Sequence, residues 1–141
     1  MSALPLVPPR TRTPLSERFW RAAREGRLEF QKCDECEFIR WPPSPVCPEC
    51  LATAASWVEV APRGSIWSYC VYEHCYDETF RDALPYVVAL VELDAGPRLI
   101  TNVVAPPQDI RVGMAVDAVF EVVADDAAVV RFRPVSQEGG S

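Results

Sequence analysis

Apolar and polar positions change rhythm along this chain, and each rhythm predicts a different element. Residues 1–12 carry proline and arginine without an apolar period and read as an extended arm. Thr13-Pro14 has the form of a helix start, a capping hydroxyl followed by proline at the first helical position. From Pro14 to Glu25, Leu15, Phe19, Ala22 and Ala23 recur at helical spacing, and Gly26 supplies the stop. Arg18, Arg21 and Arg24 make a ridge on the other side, with Glu17–Arg21 and Arg21–Glu25 spaced for i,i+4 ion pairs. Arg27 to Lys32 then alternates and predicts a strand.

Beyond Ser56 the period is that of strands. Trp57 to Val60 alternates, and Pro62-Arg63-Gly64 reads as a turn. Ser65 to Glu73, rich in aromatic and β-branched residues, predicts a long strand, followed by a loop over 74–85 that exceeds a hairpin turn. Tyr86 to Leu93 is largely apolar, the mark of a strand buried on both faces. Asp94-Ala95-Gly96-Pro97 turns into a hairpin partner over 98–105, which Pro106-Pro107 breaks. Ala115 to Val123 and Ala127 to Arg133 flank a turn at Asp125-Asp126, and Pro134 ends the second. Five or six short antiparallel strands without a clear internal helix predict a small β-barrel, with the OB-fold as the leading form.

Between helix and barrel stand Cys33-x-x-Cys36 and Cys47-x-x-Cys50, ten residues apart. Each pair can form a knuckle presenting two thiolates, and two facing knuckles make a tetrahedral S4 site. A closed S4 shell leaves no position for water or substrate, so the metal is structural. Iron suits the same geometry; zinc is the expected metal. Disulfides would need an oxidising compartment, and MSALPLVPPRTRTP lacks the basic and apolar segments of a secretory leader, so a cytoplasmic location is expected. A thioredoxin-like role would use one pair in a βαβ setting, whereas these lie in loop sequence such as Trp41-Pro42-Pro43-Ser44-Pro45. The ribbon, roughly 28–53, is too small to fold alone, so metal binding contributes on the order of 10 kcal/mol or more to its folding.

Charge narrows the function classes. Zinc ribbons and OB-folds both bind nucleic acid, but that needs a basic footprint. This chain carries a formal net charge of −6, and Lys32 is its only lysine. Trp20, Trp41, Trp67 and Tyr69 could stack on bases, yet such platforms sit in basic grooves. Trp41 is therefore expected to cover the ribbon, and Trp67 and Tyr69 to pack in or on the barrel. No apolar run reaches the ~18 residues that suggest a membrane span. His74, the only histidine, stands beside Cys75 and near Asp77, Glu78 and Asp82 in the long loop, where partner contact outweighs acid–base chemistry because nothing completes a catalytic constellation. Cys70, inside a strand, is expected in the core.

The segments FWRAAREGRL (19–28), WPPSPVCPEC (41–50), WVEVAPRGSIWSY (57–69), LPYVVALVELDAG (84–96), RLITNVV (98–104), VGMAV (112–116) and RFRP (131–134), with both cysteine pairs, cover most of the chain. In this order they resemble the zinc-ribbon/OB-fold, acyl-CoA-associated family, number thirty-five among the domains of unknown function. The resemblance implies a non-catalytic companion of acyl-CoA enzymes. Its partners would be thiolase-superfamily proteins, including thiolase-like aldolases of steroid side-chain degradation, and it would help bind the CoA portion or position the partner. One departure stands out: the family usually places glycine after each knuckle's second cysteine, where a positive φ is needed, but here Glu37 and Leu51 follow. Strained or reshaped knuckles are expected.

The expected organisation is a mainly β chain: an arm and docking helix over 1–27, a rubredoxin-like zinc ribbon over 28–53, an OB-fold β-barrel over 54–136 and a disordered tail over 137–141. Cys33, Cys36, Cys47 and Cys50 are the expected zinc ligands, and no catalytic residue is expected. Arg18, Arg21 and Arg24 are the candidate contacts for CoA phosphates. The helix, the 74–85 loop and exposed barrel edges are the expected interface with a thiolase-like partner. The alternative reading is a nucleic-acid-binding ribbon/OB module.

Overall fold

Thr13 begins the helical segment as its residue type dictates. Ser16 N–H donates to Thr13 Oγ1 at 3.2 Å, and Thr13 N–H donates back to Ser16 Oγ at 2.9 Å. In this computed structural model, which describes Leu4 and residues 13–76 and 78–135, Pro14–Ser16 is a 3-10 turn. The regular helix α1 is therefore Glu17–Arg24, shorter than the apolar period suggested. Leu15 falls out of phase with it and stays 39% exposed, while Phe19, Ala22 and Ala23 are buried. Gly26, at φ 79°, closes the helix: its N–H reaches Ala23 O, and Arg27 N–H reaches Ala22 O. Glu25 pairs with Arg27 across this end rather than with Arg21.

Three strands form the ribbon sheet: β1 (Leu28–Cys33), β2 (Ile39–Arg40) and β3 (Ala55–Val60), in the order β2-β1-β3. The strand that the alternation placed at the start of the barrel sequence is β3. It pairs along β1 from Leu28↔Val60 to Cys33↔Ala55 and so belongs to the ribbon sheet. The barrel is built from β4 (Arg63–Tyr72), β5 (Tyr86–Leu93), β6 (Arg98–Val103), β7 (Ala115–Ala124) and β8 (Ala127–Pro134), closed in the order β4-β5-β6-β8-β7. Its pairings are antiparallel except at the β6/β8 seam, where Val103 meets Phe132 in parallel. That seam is reinforced by Val104 N–H to Phe132 O at 2.8 Å and Thr101 Oγ1–H to Val130 O at 2.8 Å.

Three positions depart from the sequence reading for identifiable reasons. Gly64 is inside β4, not in a turn: a Cβ there would lie 2.1 Å from Glu92 O, so only glycine lets β4 approach β5. Cys70 is exposed rather than in the core. A bulge at Trp67, between the pairs Ile66↔Val91 and Ser68↔Leu90, inverts the alternation, so Ser68 and Cys70 face outward although Ile66 faces in. β5 is buried on one face only, at Val87, Ala89, Val91 and Leu93; Tyr86, Val88, Leu90 and Glu92 are half-buried.

Phe19, Leu28, Phe30 and Val60 join Ile66, Val91, Leu93, Val116 and Phe132 in one hydrophobic cluster, so helix, ribbon and barrel share a core. Trp41 caps it on the ribbon side, 4.2 Å from Phe19 and 5.7 Å from Phe30 between ring centroids. No helix among the described residues is long and apolar enough to cross a membrane. The expected tail over 137–141 and most of the arm lie outside the described residues.

Candidate metal centre and its surroundings

The two knuckles are built alike. Cys33 N–H donates to Phe38 O at 2.9 Å and Glu37 N–H to Cys33 O at 3.0 Å; Cys47 N–H donates to Ala52 O and Leu51 N–H to Cys47 O, both at 2.9 Å. Glu35 and Cys36 N–H groups aim at Cys33 Sγ at 3.4 Å, and Glu49 N–H aims at Cys47 Sγ at 3.4 Å. Glu37 (φ 67°) and Leu51 (φ 68°) adopt the left-handed conformation that glycine would take. The knuckles are not reshaped by the missing glycines, and the strain is carried in the backbone of these two residues.

The four sulfurs lie within 4.8 Å of one another, with Cys33–Cys50 at 3.5 Å and Cys36–Cys47 at 3.6 Å. A disulfide needs about 2.05 Å, whereas the edges of a tetrahedral zinc–thiolate shell are about 3.8 Å. The donor set and spacing fit zinc. Cys33 and Cys47 are buried; Cys36 and Cys50 are exposed. The Cys36 N–H bond, against the effect of burial, draws the Cys33 thiol down to about 6. Cys47 is also lowered: burial opposes its charge, but the Cys50 and Glu49 backbone groups outweigh it. Cys36 is favoured as a thiolate by the Phe38 backbone, yet burial and the neighbouring sulfurs push it up to about 12. Cys50 is raised as well: the Ala52 backbone group favours its thiolate, but the Cys33 sulfur and burial prevail. Zinc binding by the four thiols releases protons from the cluster, so a higher pH favours its uptake.

The loop carrying Trp41 is held by a polar pair that the sequence did not advertise. Arg40, buried, donates from Nε to Gln31 Oε1 at 3.1 Å and from Nη2 to Ser44 O at 2.8 Å. Ser44 N–H donates to the same Gln31 oxygen at 2.8 Å. The β1/β2 register sets Gln31 opposite Arg40, and that cross-strand pairing was the missing signal. Ser56 Oγ–H to Asp34 Oδ1 at 2.8 Å ties the first knuckle to β3.

The three candidate arginines do not act alike. All are exposed, but Arg18 Nε is committed to Glu29 at 2.7 Å. Glu29, with a side chain only 10% exposed, also receives Arg27. Burial opposes its charge, but the hydrogen bonds from Arg18 and Arg27 hold its carboxyl below the ordinary range. Arg18 and Arg21 line a cleft of about 290 Å³ together with Glu25, Arg27 and Glu29; Arg24 does not line it. Arg21 and Arg24 have no ion pair among the described residues.

In the 74–85 loop a 3-10 segment runs Glu78–Ala83. His74 packs edge-on against Tyr76 at 4.8 Å, Cys75 Sγ lies 3.6 Å from Glu78 Oε2, and Arg81 also binds Glu78. Asp77 lies outside the described residues. Aromatics gather at the base of the loop instead: Tyr72 of β4 stacks on Tyr86 of β5 at 5.2 Å, and the loop's Phe80 lies 5.1 Å from Tyr86.

A knuckled S4 ribbon sharing its core with a five-stranded barrel matches two family models in sequence order. Residues 20–54 match the ChsH2 rubredoxin-like zinc ribbon domain, and residues 57–121 match the ChsH2 C-terminal OB-fold domain. A DUF35 domain-containing scaffold protein of Methanocaldococcus jannaschii is 31% identical over 112 residues, covering 77% of this chain and 79% of that protein. The chain belongs to the DUF35 family. Among solved structures, this DUF35 chain is similar to one described as the Ltp2-ChsH2(DUF35) aldolase, with a TM-score of 0.78 and 37% identity, covering 88% of this chain and 97% of that one. A Thermomonospora curvata protein named "Probable enoyl-CoA hydratase alpha subunit" is 42% identical over 123 residues; the DUF35 chain covers only 38% of its length. The ribbon model is a zinc domain, and the four-cysteine cluster suits zinc as its structural ion.

Proposed function

We propose that this chain is a non-catalytic accessory subunit of an acyl-CoA-transforming complex. The observation that carries the reading is the likeness, across nearly the whole of both chains, to the DUF35 chain of an aldolase assembly. It is supported by relatives named as a DUF35 domain-containing scaffold protein and as a probable enoyl-CoA hydratase alpha subunit. The partner is a thiolase-superfamily enzyme, and the favoured substrate class is a bulky or steroid acyl-CoA. The complex is cytoplasmic. Cys33, Cys36, Cys47 and Cys50 hold the zinc, which contributes folding energy to the ribbon and no chemistry, because its four sites are filled by the chain.

Arg21 and Arg24 are the contacts for CoA phosphates, within a set that also included Arg18. Arg18 is already neutralised by Glu29. The test is charge reversal at Arg21 and Arg24, read by co-purification of the enzyme subunit and by calorimetric titration of acyl-CoA into the complex. Loss of about tenfold in affinity per arginine is expected for a charge-assisted phosphate contact. Unchanged assembly together with unchanged acyl-CoA affinity would remove the helix from the ligand site. A nucleic-acid module would instead bind single strands with steep salt dependence, which a net charge of −6 disfavours.

A further inference from the structure

The apolar run of β5 demands burial on both faces, and the fold buries only one. Val88 and Leu90 point outward from the barrel, paired with Cys70 and Ser68 of β4 and with Asn102 and Ile100 of β6. Helix α1 lies over β7 and β8. On β4–β5–β6, Ile100 is 78% exposed, Trp67 is 49% exposed and Cys70 is exposed. Trp67 reaches this face because it is the bulged residue, and Arg98 lies over its ring at 4.2 Å. At the other end the face runs into the stacked Tyr72–Tyr86 pair and Tyr76, which is 77% exposed. An outward apolar stripe spanning three strands is the signature of a covered surface, not of a solvated one.

Charge indicates what covers it. The described residues of β4, β5, β6 and the segments between them carry Glu73, Glu78, Asp82, Glu92 and Asp94 against Arg63, Arg81 and Arg98, of which Arg81 pairs with Glu78 and Arg98 pairs with Glu92 and lies over Trp67. An acidic rim around an apolar centre fits a folded protein whose facing patch is apolar at its centre and basic at its edge. A nucleic-acid strand would meet carboxylates where its phosphates need cations. A second copy of this acidic chain would set like charge against like, with each copy at −6.

We propose that the outer face of β4–β5–β6, centred on Leu90 and Ile100, is the docking surface for the enzyme subunit of the complex. This rests on the accessory-subunit reading above, and it places the main contact on the barrel wall rather than on helix α1. Burying Ile100 and Trp67 at the centre of the contact would make them its anchors.

The test uses the full chain, tagged in its own host, and the co-purified enzyme subunit once that subunit is identified by mass spectrometry and assayed on acyl-CoA. Ile100→Glu should reduce recovery of the enzyme subunit at least tenfold while leaving zinc content and thermal melting unchanged. Val122→Glu, at a 46% exposed valine on β7, introduces the same charge off the face and should leave recovery intact. Cys70 gives an independent readout: maleimide should label it in the isolated chain and at least tenfold more slowly in the complex. Full recovery with Ile100→Glu, or undiminished Cys70 labelling, overturns the docking face while leaving the accessory role standing. If the wild-type chain recovers no acyl-CoA enzyme, the role and the face both fall. A homodimer dissolved by Ile100→Glu, or oligothymidine binding lost with it, assigns the face to those occupants and overturns the proposal.

Discussion

Glu37 and Leu51 show how much a single backbone angle can carry. Both hold a φ near +67°, where a Cβ crowds the backbone, and both close a knuckle by donating to the first cysteine's carbonyl. Neither side chain explains its own choice: Leu51 is 74% exposed. Their substitution by glycine should relieve strain, partly offset by glycine's greater freedom in the unfolded chain. We expect Glu37→Gly and Leu51→Gly each to stabilise the zinc-loaded protein by about 0.5 kcal/mol. Thermal unfolding in excess zinc measures this, and a lowered midpoint for either variant would show that the conformation costs nothing there. The need for a positive φ came from the resemblance to a family whose members usually place glycine at these two positions. That non-glycine residues would comply was not legible, because the outcome depends on how firmly the metal and the knuckle hydrogen bonds impose the turn.

Elements in this protein are joined by polar groups that sequence period does not report. The helix period indicated an arginine ridge with ion pairs inside the helix, yet Arg18 clamps Glu29 on β1, with Arg27 on the same carboxylate. The clamp fixes helix to ribbon sheet. Glu29→Gln should cost about 1–2 kcal/mol at neutral pH, discounted because both arginines are partly exposed. Glu29's carboxyl is depressed in the folded state, so its contribution is complete above the unfolded carboxylate's pKa of about 4.3 and is lost as the pH falls through the lower folded value. Urea titrations of wild type and variant at pH 7 and near pH 3 should show the difference shrinking on acidification; growth of the difference would contradict the clamp. Strand positions were legible because alternation and turn residues are local. The pairing of β3 with β1 was not, since alternation says that a strand has two faces but not which strand lies beside it. The phase of β4 was hidden too, because the bulge at Trp67 arises from how two strands fit rather than from either one's pattern.

At the scale of the whole molecule, one core serves two units. Phe19, Phe30 and Trp41 on the ribbon side meet Phe132 and Leu93 of the barrel in a single cluster. The ribbon's strands depend on zinc and the barrel's on their own closure, so chelation should separate them. On zinc removal, amides of β1 and β3 should lose hydrogen-exchange protection and tryptophan emission should shift red, while β5 and β7 amides stay protected. Equal loss of protection throughout would make the molecule a single cooperative unit held by its metal. By itself, the sequence determined the S4 ligand set, the order of helix, ribbon and strands, and the acidic balance, because each rests on spacing or count within a short stretch. Only the tertiary structure decided that β3 serves the ribbon, that Arg18 is spent on Glu29, and that the apolar run of β5 leaves an uncovered face beside Ile100 and Trp67. Those facts concern which distant residues become neighbours, and neighbourhood is settled by packing.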